Sequence, residues 1–146
     1  MDTISIKNNH LIELSHFLDK APLKNRASLG RTRLLSLLDG KQKELAELNE
    51  VIAKKYCELD DEGNVKTINS DGSKEYAEIA FKSEEDGIEY TKEYVELLNE
   101  DAVINISEYQ VTLKNLYEGL LDLEMELTGS DSYIYSILCE TLEGLA

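Results

Sequence analysis

Apolar residues recur along this chain at two periods. Over Thr3-Ile-Ser-Ile-Lys7, polar and β-branched residues alternate, which is the two-residue period of a short strand. Leu11, Leu14, Phe17 and Leu18 then share one side of a helix that Asn8 or Asn9 can cap and that runs to about Lys20. Ala21-Pro22 ends it, because a residue before proline is pushed out of the α region. Pro22 is the only proline, so the rest of the chain can sustain long helices.

From about 24 to 60 the pattern predicts one long helix. Leu34, Leu38, Leu45, Leu48, Ile52 and Leu59 lie on a seam spaced alternately four and three residues, with Lys41 and Lys55 in the two remaining seam positions. Asp39-Gly40 is the weak point, where a kink or break would fall, since glycine costs about 1 kcal/mol in helix propensity. Asp60-Asp-Glu-Gly-Asn64 has the chemistry of a turn. Val65 to Ile68 and Glu75 to Phe81 read as two short strands, a small β-hairpin over about 65–81, turning at Asn69-Ser-Asp-Gly72.

Ser83 with Asp86 three residues on resembles a capping box, and the helix it opens runs to about Asn99 with Ile88, Thr91, Val95 and Leu98 as its inner line. Ala102 to Ile106 is a further short strand, and Ser107-Glu-Tyr-Gln110 a regular capping box. The next helix reaches about Leu127, where Thr128-Gly129 stops it. Its seam is Tyr109, Leu113, Leu116, Leu120, Leu123 and Leu127. A last helix, from about Asp131 to Glu143 and capped by Ser130, buries Ile134, Leu138, Thr141, Leu142 and Leu145.

The two seams match in period, so the simplest packing lays the 24–60 helix against the 107–127 helix. The expected fold class is α+β and predominantly α-helical: a long helix pair with coiled-coil-like packing plus a small antiparallel sheet, in one domain over 1–146. The only hint of a boundary is the polar turn at 60–64. The alternative is that one seam faces a second copy, making a homo-oligomer. Exposed, such a seam would drive self-association.

At 42% hydrophobic and 31% charged residues, the chain reads as globular. No apolar run approaches the ~18–20 residues that cross a membrane, and Met1 to Lys7 lacks the pattern of a secretory signal. The expectation is a cytoplasmic protein or one carried in a virion. Cys57 and Cys139 belong to no metal or redox spacing and read as reduced, buried thiols, although a disulfide between them is geometrically open. Charge is uneven: residues 1–55 hold ten Lys/Arg against seven Asp/Glu, and residues 56–146 five against twenty-three. The acidic part would repel phosphates and attract a basic protein surface.

Tests for chemistry fail on spacing. Counted as a calcium loop from Asp60, the sixth position is Val65 and the twelfth Asp71, where glycine and a bidentate Glu are needed. His10 and Glu13 share a helix face, but His16 points about 120° away, so the three do not chelate one ion. No nucleophile elbow, phosphate loop or dinucleotide fingerprint is present. The expectation is no enzyme, no cofactor and no metal. Among thirty acidic residues, chance carboxylate pairs carry no weight.

Two groups remain as candidate interaction residues. Lys24, Arg26, Arg31 and Arg33 form the one basic stretch, with Arg26 and Arg33 on a shared helix face. They could contact phosphate or an acidic partner. The plainer reading pairs them with the acidic half of the same chain. Tyr90 and Tyr94 lie one helical turn apart, and Tyr133 and Tyr135 open the last helix. Tyrosine suits interfaces because it joins area to a polar tip, and it suits core edges for the same reason.

Ile4, Ile6 and Asn8-Asn9, the stretch from Ala27 to Leu35 (ASLGRTRLL), Tyr56 followed by Asp61-Glu-Gly-Asn64, and the stretch from Leu97 to Ile106 (LLNEDAVINI) occur in this order. In that arrangement the chain resembles a family of small uncharacterised proteins encoded by phages and prophages of Gram-positive bacteria. The resemblance implies a phage context and brings no catalytic or binding residues. The leading expectation is a non-enzymatic protein–protein interaction protein, a virion or assembly accessory or a modulator of a host protein. The alternatives are an acidic nucleic-acid mimic and direct nucleic-acid binding through the Arg26–Arg33 face. In a mimic the acidic clusters Asp60-Asp-Glu62, Glu84-Glu-Asp86 and Glu118 to Glu126 would form one continuous stripe. In an ordinary interface dispersed carboxylates would surround an apolar patch.

Overall fold

The computed structural model describes residues 2–68 and 78–145. In chain order the elements are β1 (Thr3–Lys7), a 3₁₀ turn (Asn8–His10), α1 (Leu11–Lys20), α2 (Asn25–Tyr56), β2 (Thr67–Ile68) and β3 (Glu78–Ile79). There follow α3 (Glu84–Asn99), β4 (Asp101–Asn105), α4 (Gln110–Leu121), α5 (Gly129–Leu142) and a closing 3₁₀ turn (Glu143–Leu145). The class is α+β and mostly helical. The chain divides into two compact units, Met1–Lys43 with Glu100–Ala146, and Glu44–Asn99.

In the first unit β1 and β4 pair antiparallel, Thr3 opposite Asn105 and Lys7 opposite Asp101. Burial alternates along both strands, so Ile4, Ile6, Ala102 and Ile104 point to one face. Asn8 N–H to Glu100 O at 2.9 Å and Ile106 N–H to Asp2 O at 2.8 Å lengthen the ladder at its ends. The core also contains Leu11, Leu14, Phe17 and Leu18 of α1, Leu34 and Leu38 of α2, Leu113, Leu116 and Leu120 of α4, and Ile134, Leu138 and Leu142 of α5. Each such side chain contributes roughly 1.5–3 kcal/mol by leaving water.

Helices α2 and α4 pack closely, and small residues set how closely. A Cβ at Gly30 would stand 2.6 Å from the Thr112 carbonyl oxygen and 2.7 Å from Leu116 Cβ. A Cβ at Gly119 would overlap that of Ala27. The leucine seam of α2 is fully buried only at Leu34 and Leu38. Further along, Leu48 is half exposed and Leu59 lies beyond the helix end. The helix stops at Tyr56 rather than 60, and it passes through Asp39-Gly40 without a break. Nothing approaches Gly40 within 4 Å.

Several expected helix ends lie elsewhere. The residue before α1 is His10, without a side-chain cap, because Asn8 and Asn9 are taken up in the 3₁₀ turn. The Ser107 capping box does not form. Asn105 Oδ1 accepts the Ser107 N–H at 2.9 Å, Gln110 Nε2 reaches Asp2 at 3.2 Å, and α4 begins only at Gln110. Helix α4 ends at Leu121, six residues early, and there the Leu120 carbonyl accepts both the Leu123 N–H at 3.2 Å and the Tyr135 hydroxyl at 2.6 Å, which closes the last turn. Leu123 and Leu127 therefore sit half-buried in irregular chain. Thr128-Gly129 opens α5 instead of closing α4, and Thr128 Oγ1, not Ser130, accepts the Asp131 N–H at 3.2 Å. Thr141 and Leu145 are half-buried.

The second unit holds the last part of α2, a small β region and α3. Asp60 Oδ1 accepts the N–H groups of Glu62 and Asn64, both at 2.9 Å, and Gly63 supplies the positive φ of 83° that the turn requires. Glu58 donates to Ala80 O, Ala80 to Lys66 O and Lys66 to Glu58 O, at 2.7, 3.0 and 2.8 Å, joining three segments. Among the described residues Thr67 and Ile68 pair antiparallel with Ile79 and Glu78. Val65 and Phe81 form isolated bridges with Leu59 and Cys57. The expected turn at Asn69 to Gly72 lies outside the described residues.

A paired substitution tests the α2–α4 approach. Gly30→Ala should destabilise by about 1–3 kcal/mol, because the new methyl meets backbone and a packed leucine. Gly40→Ala should stabilise by up to about 1 kcal/mol, since it adds helix propensity in open space. Urea unfolding of the two variants beside the parent reads both signs.

Candidate interaction surface

The basic stretch is dispersed by its own side-chain bonding. Arg31 donates to the Ala21 carbonyl and to Ser28 Oγ, so it ties the end of α1 to the start of α2. The Arg33 guanidinium lies over the Tyr109 ring, 4.7 Å from its centre. Arg26 and Lys24 are exposed. Among the described residues no carboxylate pairs with Arg26, Arg31 or Arg33, and none there provides the expected pairing with the acidic half. A backbone carbonyl and an aromatic face take its place.

Tyr133 and Tyr135 are close in sequence and differ in role. Tyr133 is 58% exposed, and its ring meets His10 edge to face at 5.8 Å. Tyr135 stands against Phe17 at 6.0 Å and spends its hydroxyl on Leu120. Burial, and then a hydrogen bond with the Cys139 thiol, push the Tyr135 phenol up to about 12. Between α1 and α5 runs a groove of about 490 Å³, lined by Glu13, His16 and Tyr133 among others. The 2.8 Å Lys20–Asp131 ion pair also stands in its wall. His16 is exposed on it, and among the described residues no three His, Cys, Asp or Glu side chains are placed to hold an ion. Both cysteines are free thiols, Cys57 buried and Cys139 half-buried, and burial raises the pKa of each.

The second unit holds the main departure from expectation. Helix α3 begins as predicted, with Ser83 Oγ accepting the Asp86 N–H at 3.1 Å, but it turns the other way. Its covered face is Gly87, Tyr90, Tyr94 and Leu97. The expected inner line lies outward: Ile88 is 58% and Val95 47% exposed, Thr91 is exposed and Leu98 half-buried. The cause is polar. Tyr90 donates its hydroxyl to Asn49 Oδ1 at 2.7 Å, its ring stacks on Tyr94 at 5.8 Å and 7°, and Phe81 meets it at 5.5 Å. Burial raises the Tyr90 pKa. Lys55 with Glu93, at 2.9 Å, adds an ion pair from α2 to α3. Gly87 leaves room for the Phe81 ring, which a Cβ there would meet at 3.2 Å.

Ile88, Thr91 and Val95 are therefore the surface residues that sequence reasoning placed inside. The signal was present, because α3 carries two apolar lines at helical spacing, one aliphatic and one tyrosine-based. Choosing between them needed Asn49, 41 positions from Tyr90. Among the described residues no helix is long and apolar enough to cross a membrane. No protein-family profile, curated protein or solved structure matches the chain.

Tyr135 gives a pH test. In the unfolded chain its phenol titrates near 10, and in the fold at about 12. Between these values the unfolded chain has lost a proton that the folded chain keeps, so stability falls as pH rises. Tyr135→Phe should cost about 0.5–1.5 kcal/mol at neutral pH through the lost bond to Leu120. It should also flatten the decline in melting temperature between pH 10 and 12, which thermal scans of both proteins would measure.

Proposed function

We propose that this chain is a phage-encoded protein–protein interaction protein, without catalytic activity of its own, that docks a host or phage protein through the Glu44–Asn99 unit. One observation carries the reading: α3 turns its aliphatic line, Ile88 and Val95, outward beside Phe81 instead of burying it. Apolar surface costs roughly 25 cal/mol per Å² left in water, and rimmed apolar patches of this kind mark interaction sites. The phage context rests on the family resemblance, and the place of action is then the host cytoplasm or the virion.

Protein is favoured over nucleic acid as the partner. Arg31 and Arg33 are occupied within the chain, which leaves Lys24 and Arg26 as a thin basic footprint. The carboxylates of α3 flank apolar side chains and are interrupted by Lys92, an arrangement closer to an ordinary interface than to a row of phosphates.

The test is affinity capture from a Gram-positive host lysate treated with nuclease. A specific partner should be retained by the parent chain and lost when Ile88 and Val95 are both replaced by Asp. Those side chains are about half exposed, so the double variant should melt as the parent does. Recovery of no partner, or of one that nuclease removes, would contradict the reading. No gel retardation of DNA or RNA is expected at low salt.

A further inference from the structure

We propose that the groove formed by Phe81 and the outward side of α3 receives a basic amphipathic helix of the partner protein. The proposal rests on the interaction reading and names the surface and the chemistry of its occupant. The groove has a volume of about 540 Å³, within the range of binding clefts, and is open along its length. Phe81 walls one side, Gly87 removes a side chain from the floor, Ile88 and Thr91 continue the lining, and Glu84 and Lys92 stand at its edge. Ile88, Thr91 and Val95 follow at spacings of three and four, so the apolar line runs about two helical turns, roughly 10 Å. Such a line matches the i, i+3, i+7 anchors of a helix laid in a groove.

Charge selects the occupant. At about 100° per residue, Glu85, Glu89 and Glu96 follow one flank of the Ile88–Val95 line, and Glu84 stands on the other. Lys92 is paired with Glu89 at 3.3 Å, and among the described residues Glu84, Glu85 and Glu96 join no ion pair. The unit as a whole carries sixteen acidic residues against six basic ones. A second copy would set like charges against each other, and nucleic acid or an anionic bilayer would be repelled for the same reason. A helix with an apolar face and Lys or Arg along its borders meets both the lining and the rim.

The experiment uses the isotopically labelled full chain and two synthetic peptides, a Leu/Lys amphipathic helix and the same helix with Glu in place of Lys. Amide resonances of Phe81 and of Gly87 to Val95 should shift with the Lys peptide and not with the Glu peptide. Replacing Ile88 and Val95 with Asp should weaken the affinity roughly tenfold or more, and so should raising salt from 0.05 to 0.5 M. Lys in place of Glu85, Glu89 and Glu96 should transfer the preference to the Glu peptide. Equal response to both peptides, shifts centred on the other unit, or no response at millimolar peptide would each overturn the proposal. If neither peptide binds while the cellular partner is captured by the parent and lost by the Asp double variant, the basic-helix occupant is wrong and the broader interaction reading survives.

Discussion

Once the Tyr90 ring is covered, its hydroxyl needs an acceptor, and Asn49 provides one at 2.7 Å. That bond and the stack on Tyr94 turn the tyrosine side of α3 inward. A helix with two apolar lines can bury only one against a single neighbour, so Ile88 and Val95 are left outside. Phe81 follows the same choice. Its ring packs toward Tyr90 and lies on the helix where Gly87 has no side chain. The groove, its acidic rim and the kind of partner it can hold all derive from which side of α3 is covered.

The other unit shows the opposite economy. The seam leucines Leu34, Leu38, Leu113, Leu116 and Leu120 are closed over, and its helix pair approaches at Ala27, Gly30 and Gly119. Polar groups that look available on paper are used internally. Arg31 binds the Ala21 carbonyl, Arg33 covers Tyr109 and Tyr135 holds the last turn of α4. Residues so engaged stabilise the unit and offer little to another molecule, which shifts attention to the surface around α3.

Much of this was legible in the chain. Strict alternation gave β1, proline placed the end of α1, and the leucine spacings located the buried stretches of α2, α4 and α5. The misreadings share one cause, side-chain bonds and close packing that hydrophobic periodicity does not show. A seam that continues to Leu127 in sequence stops at Leu121 in space, where Tyr135, 15 residues away, bonds the Leu120 carbonyl. Asn105 claims the Ser107 amide before a capping box can form. Gly40 read as a weak point of α2, yet the helix runs through it in open space, and the close approach of a second helix falls at Gly30, which only packing reveals. On α3 periodicity offered two answers, and the aliphatic line was the more apolar of the two. The tyrosine line brings large rings and a hydroxyl that Asn49 accepts from, and that line is the one covered.

The orientation of α3 is thus the claim on which the surface depends. Solvent paramagnetic relaxation of methyl resonances, with a soluble gadolinium chelate added to the methyl-labelled chain, reads it directly. The methyl groups of Ile88 and Val95 should broaden strongly, while those of Leu97, Leu113 and Leu116 stay sharp. Protected Ile88 and Val95 methyls beside a broadened Leu97 would mean that the aliphatic line is the buried one, and the account of this surface would be wrong.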